Sequence, residues 1–130
     1  MTIYVCLDDR DGMLFNKRRQ SRDARVLEDI RASVPGVLTI DPFSEKLIRD
    51  AEIPYVLAPE VLPEDAHFFL ECRRASELLP LAKKVVIYRW NRHYPADFRF
   101  DGDLSPFTPE RTEEFPGKSH ETITKEVYVL

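Results

Sequence analysis

An aspartate near the start of a predicted helix is the residue best placed for acid–base chemistry in this sequence. Asp23 comes two residues after Ser21, a plausible helix N-cap, and the apolar segment Met13-Leu14-Phe15 precedes both. If that segment forms a loop that folds over Asp23, partial desolvation raises the pKa of the carboxyl group toward the range useful for proton donation. The alternative is a solvated aspartate whose charge suits the positive end of the helix dipole.

A basic segment, residues 17–25, connects the apolar loop to the helix. Its cations are Lys17, Arg18, Arg19, Arg22 and Arg25. Arg18, Arg19 and Arg22 can hold an anionic ligand. Alternatively, all five cations can bind RNA with Phe15 as a stacking group, or the segment can form a solvated surface. The net charge of −4 counts against nucleic acid, because neutralisation of phosphates dominates that affinity.

Several kinds of site lack their sequence signals. His67, His93 and His120 are scattered without ligand spacing and there is no pair of C-x-x-C motifs, so we expect no metal site. The four glycines are isolated and form no phosphate-binding loop, and no G-x-S-x-G motif is present. We expect Cys6 and Cys72 to be reduced, buried small hydrophobes, although a disulfide between them remains open.

The length and composition indicate one globular domain spanning residues 1–130. The sequence is 43% hydrophobic and 32% charged, which is unlike a disordered chain. No apolar run is long enough to cross a bilayer, and the chain begins with a strand pattern where an export signal would have a basic and then an apolar stretch. We therefore expect a cytoplasmic protein.

The predicted elements alternate between strands and helices. Apolar runs predict strands at residues 3–7, 37–40, 55–58, 67–70, 85–88 and 123–130. Helices are predicted from Ser21 to Val34, after Ser44, and near residues 74–83, where Pro80 should kink or shorten the helix. This order predicts an α/β fold with a mixed, mostly parallel sheet, flanked by helices and closed by C-terminal antiparallel strands.

The order of parts resembles dihydrofolate reductase. A first strand that ends at Asp8, the turn glycine Gly12, and a helix that starts near Asp23 are similar to that family's opening, and Leu27 matches an apolar pocket residue. Residues 68–72, 78–82 and 85–88 are similar to the family's strand, helix and strand around a Gly-Gly turn. Residues 97–100 and the closing strand fit its C-terminal hairpin.

This resemblance implies a dihydrofolate-reductase-like fold with a small-molecule pocket. It places Asp23 and Tyr88 as catalytic residues, with the Tyr88 hydroxyl supporting the carboxylate. The ligand-binding residues that we expect around them are Phe15, Arg18, Arg19, Gln20, Arg22 and Leu27.

Three departures from the family pattern count against ordinary NADPH binding. The Trp-x-Leu-Pro approach to the carboxylate is replaced by residues 19–22, which are polar and basic. The Gly-Arg pair that receives a cofactor phosphate is Asp41-Pro42 here, and Glu71-Cys72 stands at the Gly-Gly turn. The chain is also shorter between Ile53 and Ala66, the region for the adenosine side of the cofactor.

The sequence thus predicts a small-molecule-binding protein in which the standard NADPH site is lost. The alternatives are an active NADPH-dependent reductase of a pterin-like or other heterocyclic substrate, and an RNA- or nucleotide-interacting protein that uses the basic segment. A patch around Trp90, Tyr94 and Phe98 would suit a homodimer, although Trp90 could equally belong to the core.

A second resemblance is to a group of small bacterial proteins, some of which carry a ribonuclease Z label. It is carried by residues 12–23, from Gly12 to Asp23. That label implies a metal-dependent nuclease with a clustered His/Asp motif. This sequence has no such motif, so we do not expect that activity.

Overall fold

The computed structural model describes all residues from Met1 to Leu130. The strands are β1 (Thr2–Leu7), β2 (Gly12–Phe15), β3 (Arg18–Arg19), β4 (Leu38–Ile40), β5 (Tyr55–Leu57), β6 (His67–Leu70), β7 (Lys84–Arg89), β8 (Phe98–Arg99), β9 (Thr108–Phe115) and β10 (Ile123–Val129). The helices are α1 (Ala24–Ser33), α2 (Glu45–Asp50) and α3 (Ala75–Leu78).

The main sheet has seven strands in the order β5-β4-β6-β1-β7-β10-β9. β1 pairs in parallel with β6 on one side and β7 on the other, while β10 is antiparallel to both β7 and β9. The predicted mixed, mostly parallel α/β sheet with C-terminal antiparallel strands is confirmed. The carboxyl end of β1, where Asp8 begins a turn, therefore lies in the middle of the sheet, beside the carboxyl ends of β6 and β7.

The core is divided between the two faces of this sheet. Ile3, Val5 and Leu7 of β1 join the cluster that contains α3, whereas Tyr4 joins the cluster that contains α1 and α2. This alternation follows from the two-residue period of a strand that is covered on both faces. Helix α1 is consequently packed over the centre of the sheet, with Val26 and Ile30 buried beneath it.

A small second sheet replaces the loop predicted at Met13-Leu14-Phe15. Those residues lie in β2, which pairs with β3 across a turn and with β8 on its other side. The turn residues Asn16 and Lys17 both have positive φ, as a tight two-residue hairpin requires. The prediction that residues 97–100 join the C-terminal hairpin is wrong, because Phe98 pairs with Leu14 and the hairpin is formed by β9 and β10.

Two predicted helix caps differ in the structure, while the third helix is shortened as expected. The N-cap of α1 is Asp23, whose side chain accepts a hydrogen bond from the Arg25 amide, and Ser21 lies outside the helix. The third helix is a single α turn followed by a 3₁₀ turn at Leu79–Leu81, and this shortening at Pro80 confirms the expected irregularity. Ser44 precedes α2 without a side-chain cap bond, since its hydroxyl donates to Glu71.

The proposed dimer patch is not an exposed surface. Trp90 is buried in the core, and Tyr94 and Phe98 are partly buried. A homodimer therefore stays a prediction without this surface to support it. None of the helices is long and apolar enough to cross a membrane.

Candidate functional site

A pocket between α1 and the carboxyl ends of β1, β6 and β7 gathers most of the residues predicted for the site. Cys6, Leu27, Phe69 and Trp90 contribute to its apolar part. Its other lining residues are Met13, Arg19, Gln20, Ser21, Arg22, Asp23, Val26, Leu47, Leu70 and Glu71. The room inside for water-sized molecules is about 20 Å³, so its side chains nearly fill it.

An open cleft of about 510 Å³ adjoins this pocket and shares two residues with it. Arg19 and Gln20 line both spaces and therefore form the boundary between them. The cleft is completed by Phe15, Asn16, Arg18, Tyr94 and Pro95. The structure thus brings every predicted ligand-binding residue to either the pocket or the cleft, with Phe15 and Arg18 in the cleft only.

The boundary is closed by an ion pair that the sequence did not reveal. Arg19 donates from Nε and Nη2 to the two carboxylate oxygens of Glu71 at 2.5 and 2.6 Å, and the Ser44 hydroxyl donates to Glu71 at 2.7 Å. A two-point pair of this kind fixes the orientation of both side chains. Because Glu71 neutralises Arg19, the cations free to meet a ligand are Arg18 and Arg22, which are exposed and form no ion pair.

Asp23 is buried and accepts five hydrogen bonds from the protein. Its Oδ1 accepts from the amides of Arg25 and Lys118 at 2.8 and 3.0 Å. Its Oδ2 accepts from the amides of Ser119 and His120 at 2.7 and 3.1 Å, and the His120 ring Nδ1 lies 3.0 Å away. The two oxygens are therefore fully engaged.

These contacts reverse the expected electrostatics of the carboxyl group. Burial alone would raise the pKa of Asp23, but the amides of Lys118, Ser119 and Arg25 and the His120 ring together hold that pKa far below its usual range. The predicted rise in the pKa of Asp23 is wrong. These contacts favour the ionised form of the carboxyl group and fix its orientation.

His120 was not among the predicted site residues, yet it is central here. Its ring stacks on Trp90 with 4.6 Å between ring centroids, and it is buried. On the side away from Asp23, its Nε2 lies 3.0 Å from the Ser21 hydroxyl and 3.1 Å from the Tyr94 hydroxyl. No local motif links Ser21 to His120, which are 99 positions apart.

Tyr88 does not approach Asp23. Its hydroxyl donates to Asp29 Oδ2 at 2.6 Å, and Lys125 Nζ donates to the same oxygen at 2.7 Å. Desolvation first, and then this bond, raise the pKa of the Tyr88 hydroxyl well above its usual value. Tyr88 thus supports a different carboxylate, one that lies further along α1.

The positions that the resemblance assigns to the cofactor carry acidic side chains with partners of their own. Asp41 accepts from Arg73 through both oxygens, at distances of 2.7 to 3.1 Å, with Cys72 Sγ 3.7 Å away. Glu71 projects into the pocket wall at the turn after β6. Cys6 and Cys72 are both free thiols.

Asp8 holds together the segments around the site. It is buried at the end of β1 and accepts from the amides of Arg10 and Gly12 through Oδ1, and from Gln20 and the Tyr94 amide through Oδ2. A Cβ at Gly12 would lie 2.9 Å from Asp8 Oδ1, so the turn needs glycine for this close approach. The amide oxygen of Gln20 is buried without a hydrogen-bond partner.

No group of three or more histidine, cysteine or acidic side chains is arranged to hold a metal ion. No protein-family model matches the sequence, and no curated protein matches it. Among solved structures, the chain is similar to dihydrofolate reductase from Enterococcus faecalis complexed with NADP(H) and RAB-propyl. The match has a TM-score of 0.69 and covers 98% of this chain and 94% of that one.

This chain has the dihydrofolate reductase fold. The sequence identity to the Enterococcus reductase is 9%, so the likeness shows the fold alone. The fold places the pocket beneath α1 at the carboxyl ends of parallel strands, which is where open α/β sheets generally bind ligands.

Proposed function

We propose that this chain is a small-molecule-binding protein that retains the pocket of its fold without the reductase chemistry. The observation that carries the proposal is the state of Asp23. All of its hydrogen-bonding capacity toward the pocket is used by residues 118–120 and by the cap of α1. A substrate could therefore neither bond to a free carboxylate oxygen of Asp23 nor accept a proton from this residue.

The lining of the two spaces indicates the chemistry of the ligand. The cleft has the volume of a small-molecule site, with Arg18 as its unpaired cation and with Phe15 and Tyr94 as flat surfaces. Arg22 adds a second cation at the pocket. We infer an anionic, partly aromatic ligand that rests in the cleft and inserts a small group past Gln20.

The buried oxygen of Gln20 supports this direction of insertion. A buried amide oxygen without a partner costs free energy, which a ligand donor would recover. Gln20 lines both the cleft and the pocket, so a ligand that passes between them meets it. We therefore expect the inserted group to carry an N–H or O–H.

The same geometry supports the loss of the standard NADPH site. At the turn where the resemblance places two glycines, the Glu71 side chain is held by Arg19 and Ser44, which counts against a close approach of a nicotinamide ring to the backbone. At the position of the phosphate-binding pair, Asp41 repels phosphate and occupies Arg73. An active NADPH-dependent reductase is the less supported function on both counts.

Ligand-induced thermal stabilisation tests the proposal, because a ligand that binds only the folded state raises Tm. The probes are the four ribonucleoside monophosphates, benzoate, folate, NADPH and a short single-stranded RNA. We expect stabilisation by at least one small anionic aromatic probe, and none by NADPH. The double variant R18A/R22A should lose the shift, and R31A, which removes an exposed arginine from the end of α1, should keep it.

Three results would contradict the proposal. Stabilisation by NADPH together with folate-dependent NADPH oxidation would favour the reductase. A strongly salt-dependent shift with RNA alone would favour nucleic-acid binding through the basic segment. A complete absence of shifts across the probes would count against a small-molecule site of this chemistry.

A further inference from the structure

Ser21, His120 and Asp23 form a continuous hydrogen-bonded chain at the pocket. Asp23 Oδ2 lies 3.0 Å from His120 Nδ1, and His120 Nε2 lies 3.0 Å from Ser21 Oγ. A hydroxyl, an imidazole and a buried carboxylate in this sequence are the parts that activate a serine for attack on an acyl group. We propose that Ser21 is a nucleophile, with His120 as its general base, and that the pocket hydrolyses small esters.

The carboxylate sets the protonation of the imidazole in the direction that this chemistry needs. Ionised Asp23 can only accept, so the proton between Asp23 and His120 belongs to Nδ1. Nε2 is then the free lone pair that faces Ser21. The imidazole ring is oriented by stacking on Trp90. The carboxylate is oriented by three backbone hydrogen bonds, donated by the amides of Lys118, Ser119 and His120.

Tyr94 completes the arrangement as a second hydroxyl near the same nitrogen. A neutral imidazole offers one lone pair at Nε2, so only one of the two hydroxyls can donate there. The Tyr94 hydroxyl lies 3.5 Å from Ser21 Oγ and can donate to it, which leaves the Ser21 proton directed at His120. In this arrangement Tyr94 is a positioning residue for the serine.

The serine is accessible from the proposed ligand site. Ser21 is partly exposed and lines the pocket together with Leu27 and Arg22. Arg22 follows Ser21 in the chain and carries no ion-pair partner, so its guanidinium is the available group to stabilise an oxyanion. Because the pocket has room for little more than one water molecule, only the reacting carbonyl group would lie in it, with the rest of the ester in the cleft.

The reaction is balanced with water as the only co-reactant. Ser21 Oγ bonds to the carbonyl carbon while its proton passes to His120 Nε2. Collapse of the tetrahedral intermediate breaks the bond to the leaving alkoxide, which takes that proton and departs as an alcohol. Water then repeats the sequence on the acyl-serine, and the products are a carboxylic acid and free Ser21. This inference rests on the proposed function, because the ester must enter the same pocket.

Covalent labelling tests the nucleophile directly. The intact protein is treated with diisopropyl fluorophosphate, the labelled residue is located by peptide mass spectrometry, and hydrolysis of p-nitrophenyl acetate is measured alongside. We expect a single label on Ser21, and we expect S21A to lose the label and roughly 100-fold or more of the activity, in line with loss of a base-activated nucleophile. The matched control is S33A, which removes an exposed hydroxyl at the last residue of α1, outside the pocket and the cleft, and should label and hydrolyse like the unmodified chain.

A further readout separates a nucleophile from a structural serine. Y94F should still label, because Ser21 remains the donor to Nε2. A folded protein with no label on Ser21, or with equal hydrolysis in S21A, would overturn the triad. If Ser21 is not labelled but the small anionic probes still raise Tm, only the triad has failed, whereas a labelled Ser21 without any probe binding would count against the binding proposal alone.

Discussion

At the scale of single residues, Asp23 shows how one carboxylate can serve structure and orientation together. It begins α1, and it also holds a segment that lies more than 90 positions away in the chain. Each amide it accepts from stabilises the ionised form and so lowers the pKa of its carboxyl group. A group held in its ionised form in this way can orient His120 through the contact with the ring Nδ1.

Replacement of Asp23 by alanine should strongly destabilise the fold. The variant loses an N-cap worth about 1 kcal/mol. It also leaves the donors that bonded the charged carboxylate without a partner, at a cost of about 1.5–3 kcal/mol for each such bond. We expect the free energy of unfolding to fall by at least ~3 kcal/mol, measured by urea denaturation. D23N should be nearly as damaging, because an amide has one oxygen for donors that now use two.

The control for this prediction is D50A, at an exposed residue whose partner is Lys46 one helical turn away. An exposed ion pair of this kind contributes little to stability. If D23A were no more destabilising than D50A, Asp23 would not be the connection between α1 and residues 118–120 that the contacts indicate.

At the scale of elements, the strands with apolar runs could be predicted and the polar ones could not. β1, β6 and β7 are buried on both faces, so their sequences are continuously hydrophobic. β9 is exposed along nearly its whole length at the edge of the sheet, and its sequence TPERTEEF carries no strand pattern. β2 could have been found from Asn16, a residue that tolerates the positive φ of a hairpin turn.

The site was predictable only where one element supplies it. Ser21, Asp23 and Leu27 lie within two helical turns of chain, so Asp23 and Leu27 could be proposed from the sequence alone. Pairings such as His120 with Asp23 and Arg19 with Glu71 depend on how the sheet brings distant segments together, and no local signal marks them. The direction of the pKa shift of Asp23 was mispredicted for the same reason, since its hydrogen-bond partners were not visible.

The segment between β9 and β10 should tolerate no side chain at Gly117. A Cβ there would lie 2.6 Å from Asp23 Oδ2 and 2.7 Å from the His120 carbonyl oxygen, and neither can move without breaking the contacts around Asp23. We expect G117A to reduce the free energy of unfolding by about 1–3 kcal/mol, as overpacking does. Faster hydrogen exchange at the amides of Ser119 and His120 should accompany it.

G36A provides the matched comparison for this prediction. Gly36 has a φ of +99° with no atom within 4 Å of an added Cβ, so its replacement strains the backbone without touching the site. We expect G36A to leave the exchange of the Ser119 and His120 amides close to that of the unmodified chain after correction for global stability. Equal exchange in G117A and G36A would mean that Gly117 does not control this segment.

At the scale of the whole molecule, two buried carboxylates connect the small sheet, α1 and the loops to the main sheet. Asp8 reaches Gln20 and the segment at Tyr94, and Asp23 reaches residues 118–120. For both carboxyl groups, burial opposes ionisation, and the hydrogen bonds that they accept outweigh burial and lower the pKa. The arrangement of the site therefore depends on ionised carboxylates and should be sensitive to acid.

Stability should consequently fall as the solution is acidified. An aspartate whose pKa is lower in the folded state than in the unfolded state contributes its full stabilisation above the unfolded pKa of about 3.9, and loses it as pH falls toward the folded pKa. Each such group changes the free energy of unfolding by roughly 1.4 kcal/mol per pH unit in that interval. Urea denaturation from pH 7 to pH 2 should show a decline that begins near pH 5.

The D23A variant separates the contribution of Asp23 from that of the other acids. Its penalty relative to the unmodified chain should be constant near neutral pH and should shrink below about pH 4, because protonation removes the same charge that the mutation removes. E60Q, at an exposed residue outside the helices and strands, should follow the curve of the unmodified chain. A D23A penalty that stays constant down to pH 2 would show that the carboxylate charge is not what holds residues 118–120 against α1.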